Sequence, residues 1–486
     1  MVGPDYHRPP VEIPENFKEG ANWQRARANP EGAISSEWWL AYHDDTLSHL
    51  IDDALKANQS IAAAEAAYRL ALATVAASRA ALYPTVTTNL SASRSGSGGT
   101  TGSSTTGNTT IGSSTASNTT TRSSTTSSSV SQVVSATMTA SWEPDLWGQI
   151  RRSIESSKGS AQASDAQLAG QRLSIAASVA TDYFALRQLD IDIDLLEHQR
   201  QINARILDMT RASFLQGMAS NDMVLIAQDT LEAVIAILQT SKIAREQFEH
   251  AIAVLVGVPP ANFSIAPKLD YTFAAPPVPL VLPSELLERR FDIVSAERLA
   301  AAANARIGVA KAAFFPALNL AATGGFESST LASLFSLPNR IWTLGPSLAA
   351  TIFDGGARTA AVHEAQATYD EAVATYRLTV LTAFQNVEDS LSSCNHLQEQ
   401  ASAFADIYQR NQQLFESQRA QLLAGTVSEQ NVLTQQLTLL SAEQSLKDTQ
   451  GLLIQASVTL IKNLGGGWQW DDTKEAAVNP GVESGH

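Results

Sequence analysis

The chain has 486 residues, a formal net charge of −15 and one cysteine, Cys394. That charge argues against nucleic acid as a partner, and a lone cysteine excludes an intrachain disulfide and any Cys-based metal cluster. No apolar run approaches the ~20 residues of a spanning helix, a test that does not see spanning strands of ~10 alternating residues.

A helix is expected over Leu47–Leu82 and ends at Pro84, which cannot continue it. Beyond it the apolar period becomes two: Val86, Leu90 and Ala92 alternate with Thr85, Thr87, Asn89 and Ser91. A Ser/Thr/Gly tract over about residues 94–129 follows, too poor in apolar residues to fold and expected as an exposed flexible loop. A second strand alternates Val134, Ala136, Met138, Ala140 and Trp142 with Ser135, Thr137, Thr139 and Ser141. From about residue 146 a helix of ~70 residues, roughly 105 Å long, runs to the phrase FLQGMASNDMVL at Phe214–Leu225. A helix half as long returns over Asp222–Val256, and a Pro-rich joint, PPANFSIAPKLDYTFAAPPVPLVLP, leads to a helix over Pro283–Phe315. Two strands lie after Pro316 (Leu318, Leu320, Ala322, Phe326) and before Asp354 (Trp342, Leu344, Leu348, Ala350, Ile352). A second long helix from Ala357 reaches LLAGTVSEQNVL at Leu422–Leu433, and Glu429–Leu464 returns.

The chain is therefore a duplication. Gly148 and Gly356, Val179 and Val387, Arg211 and Arg419, Gly217 and Gly425, and Gly257 and Gly465 are each 208 positions apart. Upstream, AASRAALYPTV around Pro84 and GVAKAAFFPAL around Pro316 are 232 apart, and the Ser/Thr/Gly tract accounts for the difference.

In the second copy Val373, Val380, Val387, Cys394, Ala401, Tyr408, Phe415 and Leu422 recur every seventh residue, with Phe384, Leu391 and Ala405 as partial partners. The first copy keeps Val179, Leu186, Ile193, Leu207 and Phe214, and such sevens underwind helices into a left-handed supercoil. Cys394 fits a buried heptad position rather than a reactive thiol. Gly217 and Gly425 suit the positive φ of a helical reversal, with Ser220 or Asn221, and Ser428, to cap the next helix. The histidines are scattered and no catalytic or metal motif occurs, so neither an enzyme nor a cofactor is expected; Asp44–Asp45 and Asp52–Asp53 read as solvated positions near a helix start. The strands admit two readings: hairpins of a soluble sandwich, or lipid-facing strands that need several chains to close a barrel. Heptads with a Ser/Thr tract also fit a trimeric coiled-coil adhesin or stalk, which has no need of strand pairs at matching repeat positions.

VGPDYHRPP at Val2–Pro10, Trp38–Trp39, SWEPDLWGQIRRSIESS at Ser141–Ser157 and LGGGW at Leu464–Trp468, set in this duplicated plan, resemble the outer-membrane factor family. These are the TolC-like exit ducts of Gram-negative tripartite efflux pumps, and the match is to their OprM-like lipoprotein subgroup. The resemblance implies a mainly α fold with β: a homotrimer whose four strands per chain make a twelve-stranded transmembrane barrel, continuous with a long periplasmic α-helical barrel. It assigns 83–145 and 316–353 to the barrel hairpins. Residues 46–82, 146–257, 283–315 and 354–464 go to the helical barrel, and 1–45, 258–282 and 465–486 to an equatorial belt. It makes Gly217, Met218, Ala219, Ser220, Gly425, Thr426, Val427 and Ser428 tips that dock a periplasmic adaptor, which joins the duct to an inner-membrane transporter of the resistance-nodulation-division (RND) type. Arg211, Asp222, Arg419, Glu429 and Asn431 become gate candidates, though Gln430 and Asn431 stand where an acidic residue is usual. Trp142 and Trp342 are expected at the membrane interface, in contact with outer-membrane lipid. The subgroup carries a lipidated Cys ahead of VGPDY; with Met1 there, and no signal peptide, a mature chain not lipidated at that site is expected.

Overall fold

A computed structural model describes residues 1–14, 17–20, 37–97, 129–276 and 289–467. Its elements are α1 (Asp45–Ala57), α2 (Gln59–Ala80), β1 (Thr85–Ser97), β2 (Ser129–Trp142), α3 (Gln149–Leu215), α4 (Asn221–Val256), α5 (Phe291–Ala312), β3 (Ala317–Ser328), β4 (Arg340–Ala349), α6 (Ala357–Leu423) and α7 (Glu429–Asn463). The two long helices have the same length, 67 residues or about 100 Å, as a duplication requires. Strands β1 and β2 take in both ends of the Ser/Thr/Gly tract, whose residues 98–128 lie outside the described residues. So do residues 277–283 of the joint, the first turns of the helix expected from Pro283 (up to residue 288) and the segment from 468 onward.

Two expectations about helix extent and hydropathy are corrected. The helix over Leu47–Leu82 is broken at Asn58, whose backbone is extended and whose Oδ1 accepts from the Ser60 and Ile61 amides, capping α2. Two helices, Gln59–Ala80 and Asn221–Val256, are also long and apolar enough to cross a membrane by length and composition. Alanine in α2 and aliphatic residues in α4 raise the hydropathy although no unbroken apolar run exists.

The contacts divide the chain into two compact units. The first holds a four-stranded antiparallel sheet of order β1-β2-β3-β4. Register sorts its faces: Val86, Ala140, Ala322 and Leu344 stand opposite one another across the strands, as do Met138, Gly324 and Trp342. On the other face hydroxyls are laddered, Thr85 to Ser141 at 2.9 Å, Ser91 to Ser135 at 2.8 Å and Thr139 to Thr323 at 3.1 Å. Leu90, Trp342, Leu344 and Leu348 of the apolar face are exposed.

The second unit is helical around one main core, in which Trp38, Trp39 and Tyr42 meet Tyr183, Phe184 and Leu186 of α3, Val387 and Leu391 of α6, and Val458 of α7. Tyr42 shares a 2.8 Å hydrogen bond with Ser457, and the Tyr183 hydroxyl donates to Asp44, which also caps α1 through the Leu47 amide. Asp44 is thus a structural cap rather than a solvated charge. Val380, Val387, Cys394 and Ala401 are buried at heptad spacing, whereas Ala405, taken as a partner position, is exposed. Burial pushes the Cys394 thiol up to about 11, so it behaves as a small apolar side chain.

Candidate functional site

Both helical reversals have the same hydrogen-bonded geometry. After α3, Gly217 has φ +72° and its amide donates to Phe214 O at 2.8 Å while Met218 donates to Ser213 O at 2.9 Å. After α6, Gly425 has φ +72°, donating to Leu422 O at 2.9 Å, and Thr426 donates to Gln421 O at 3.0 Å. This paired pattern closes orphan carbonyls at a helix end and needs a left-handed residue, which glycine supplies without strain. Ser220 and Ser428, not Asn221, then cap α4 and α7 by accepting from the amides of Met223 and Asn431. The turns present apolar side chains to solvent, Leu215 and Met218 at one tip and Leu423 at the other.

The gate candidates are not brought together as a set. Glu429 is engaged from α3 by Arg205, whose Nε and Nη2 lie 3.0 and 3.2 Å from its two carboxylate oxygens. The pair is exposed, and the guanidinium is held above its ordinary value first by the hydrogen bond to Glu429 and then by its charge. Among the described residues Arg211, Asp222 and Arg419 form no ion pair, and the Asn431 amide serves the Ser428 cap. Arg205 had no motif to mark it; its position 208 residues on holds Gln413, and that of Glu429 208 residues back holds Asn221, so the pair has no counterpart in the other hairpin.

Sequence reasoning also missed a buried charge cluster. Asp190 accepts from Arg187 at 2.8 Å and Arg245 at 2.7 Å, and Arg245 meets Glu249 at 2.9 Å. The cluster grips the joint after α4: Arg245 and Arg187 donate to Ile265 O and Ala266 O, while the amides of Ile265 and Lys268 donate to Glu249 and Asp190. Tyr271 and Phe273, further along the joint, pack edge to face and Tyr271 meets Tyr183. Near the sheet, the Trp142 indole donates to Leu82 O at 2.9 Å, at the helix end of β2, and Trp342 stands 73% exposed near the opposite end of β4.

A sequence profile described as outer membrane efflux protein matches residues 50–258 and 282–466. The chain is 30% identical over 499 residues to the probable efflux pump outer membrane protein TtgC of Pseudomonas putida, covering 99% of this chain and 95% of that one. It is 30% identical over 484 residues to the pyoverdine export outer membrane protein OpmQ of Pseudomonas aeruginosa, with coverage of 95% and 94%. The outer-membrane channel OprN superposes with a TM-score of 0.81 at 27% identity over 96% of this chain and 99% of that one. The open state of the Neisseria gonorrhoeae MtrE outer membrane channel gives 0.80 at 26% identity, covering 96% and 98%. With its duplicated hairpins, four-stranded sheet and TolC-like channel fold, the chain belongs to the outer membrane efflux protein family.

Proposed function

We propose that three copies of this chain close their sheets into one twelve-stranded barrel in the outer membrane, forming the exit duct of a tripartite efflux pump. The observation that carries this reading is the sheet: among the described residues β1 and β4 each lack a partner strand on one side, one face is apolar and exposed, and the other is lined with serine and threonine. A sheet with open edges and two such faces suits lipid outside, water inside and neighbours at both edges. A stalk without a pore has no use for it. Residues 83–145 and 316–353 are then the membrane hairpins, the helices form the periplasmic tunnel, and the joint that the Asp190 cluster grips belongs to its belt. Conduction is passive; the energy comes from an inner-membrane RND transporter joined through a periplasmic adaptor. Drugs and other toxic small molecules are the proposed cargo, in line with relatives named for antibiotic and toluene efflux.

The tips at Gly217–Ser220 and Gly425–Ser428 dock the adaptor, their exposed Leu215, Met218 and Leu423 supplying apolar contact. Arg205 and Glu429 tie the two hairpins of one chain near the mouth and form a gate bond. Purified protein in planar bilayers tests the reading: a trimer with single-channel conductance is expected, and a monomer without conductance overturns it. Conductance should rise in Arg205→Ala and Glu429→Ala; unchanged values in both remove the gate assignment while leaving the duct intact.

A further inference from the structure

Asp192 on α3 is 8% exposed, and its Oδ1 has no hydrogen-bond partner among the described residues. One turn earlier on the same face, Gln188 donates from Nε2 to Asp448 Oδ1 of α7 at 2.8 Å. Gly451 lets that side chain lie close, since a Cβ there would collide with Gln188 Oε1. Seven residues beyond Asp192, Gln199 reaches Gln444 at 3.4 Å. Asp192 therefore lies between two cross-links of one seam, and the charged group facing it from α7 is Asp448, with Gln444 beside it. The nearby guanidiniums of Arg187 and Arg245 are committed to Asp190, and Asp194 lies beside His198 at 3.5 Å.

A buried carboxylate facing a half-buried one cannot ionise cheaply beside it without a cation between them. We propose that Asp192 and Asp448 share one proton across the α3–α7 seam, and that this proton clamps the returning helix of the second hairpin to the first long helix. Burial first, and then the Asp448 charge, push the Asp192 carboxyl up to about 8. The clamped seam holds a proton that a parted seam gives up, because a solvated carboxyl titrates near ~4. Rising pH between ~4 and about 8 therefore favours parting, by up to tenfold per unit, and the dependence flattens above about 8 once both arrangements have lost the proton. Mild acid tightens the seam and alkali loosens it.

The test uses the purified full chain in its assembled form. Infrared difference spectra should show a protonated carboxyl band at neutral pH that titrates near the value above and is absent from Asp192→Asn. In Asp448→Asn the band should titrate at lower pH, and an unmoved titration overturns the sharing. The melting temperature of the wild type, taken relative to Asp192→Asn, should fall from pH 5 to 8 and then level. Absence of the band, or the same pH slope in both proteins, overturns the proposal. If millimolar calcium or magnesium at neutral pH abolishes the band and raises the melting temperature only when Asp192 is present, the seam holds a divalent cation instead and the shared proton is wrong.

Discussion

The Asn58 side-chain amide donates to Leu255 O at 2.8 Å, and Arg290 makes the equivalent donation to Asn463 O at 2.8 Å. The donors are 232 positions apart and the acceptors 208, the two offsets of the internal repeat, so the joint itself is duplicated although its residues are not. Beside each donor a glycine closes in: a Cβ on Gly257 would strike Ala57 O, and one on Gly465 would strike Arg289 O. Asn58, between α1 and α2, and Arg290, just before α5, are each thereby fastened to the end of a returning helix.

Asn58→Ala removes both the donor to Leu255 and the cap of α2, and should cost about 1–3 kcal/mol. Asn58→Asp keeps the capping oxygen and loses only the donor, so its melting temperature should fall between wild type and Asn58→Ala. Equal losses would mean that the cap contributes nothing.

Gly217 and Gly425 have open space around the missing Cβ, so substitution there meets no clash and tests backbone strain alone. Gly→Ala at either tip should cost about 1 kcal/mol and Gly→Asn less, because asparagine tolerates the left-handed region better. Amide hydrogen exchange across the turn reads this directly, with faster exchange expected in the alanine variants and the same ranking at both tips.

Asp190→Ala leaves two guanidiniums of the buried cluster without their shared carboxylate, and a loss of about 3–5 kcal/mol follows from breaking such a pair on one side. Because Asp190 also accepts the Lys268 amide, limited proteolysis should cut the joint near that residue in the variant and spare it in the wild type. Neighbouring half-buried charges such as Asp194, paired only with His198 among the described residues, should be nearly neutral to replacement.

Leu344 and Thr343 are adjacent on β4 and point to opposite faces. If the apolar face meets lipid, Leu344→Arg should destabilise folding into vesicles by about 2–4 kcal/mol, and Thr343→Arg by far less. The reverse order would put lipid on the hydroxyl-lined face and overturn the barrel reading.

Much of this architecture is legible from the amino acids because backbone chemistry writes it there. Pro84 and Pro316 stop helices, Gly217 and Gly425 turn them, and alternation sorts the strands. The break at Asn58 is hidden, because asparagine inside an otherwise helical pattern carries no glycine or proline signal; its cap on α2 and its bond to Leu255 O hold it there. Arg205 and Glu429 are 224 residues apart, and each alone reads as a solvated charge. The Asp190 cluster was equally silent: i,i+3 and i,i+4 charge pairs decorate most exposed helices, and burial that depends on distant chain segments distinguishes this one.

The outer margins of β1 and β4, unpaired among the described residues, carry a genetic corollary. In a ring of three, a lesion at either margin spoils every assembly that a faulty copy enters, since no margin can be bypassed. With equal amounts of sound and faulty chains mixing at random, only about one ring in eight would be wholly sound. Margin mutants should therefore poison a cell that also makes the normal protein, whereas mutants that simply fail to fold should be recessive.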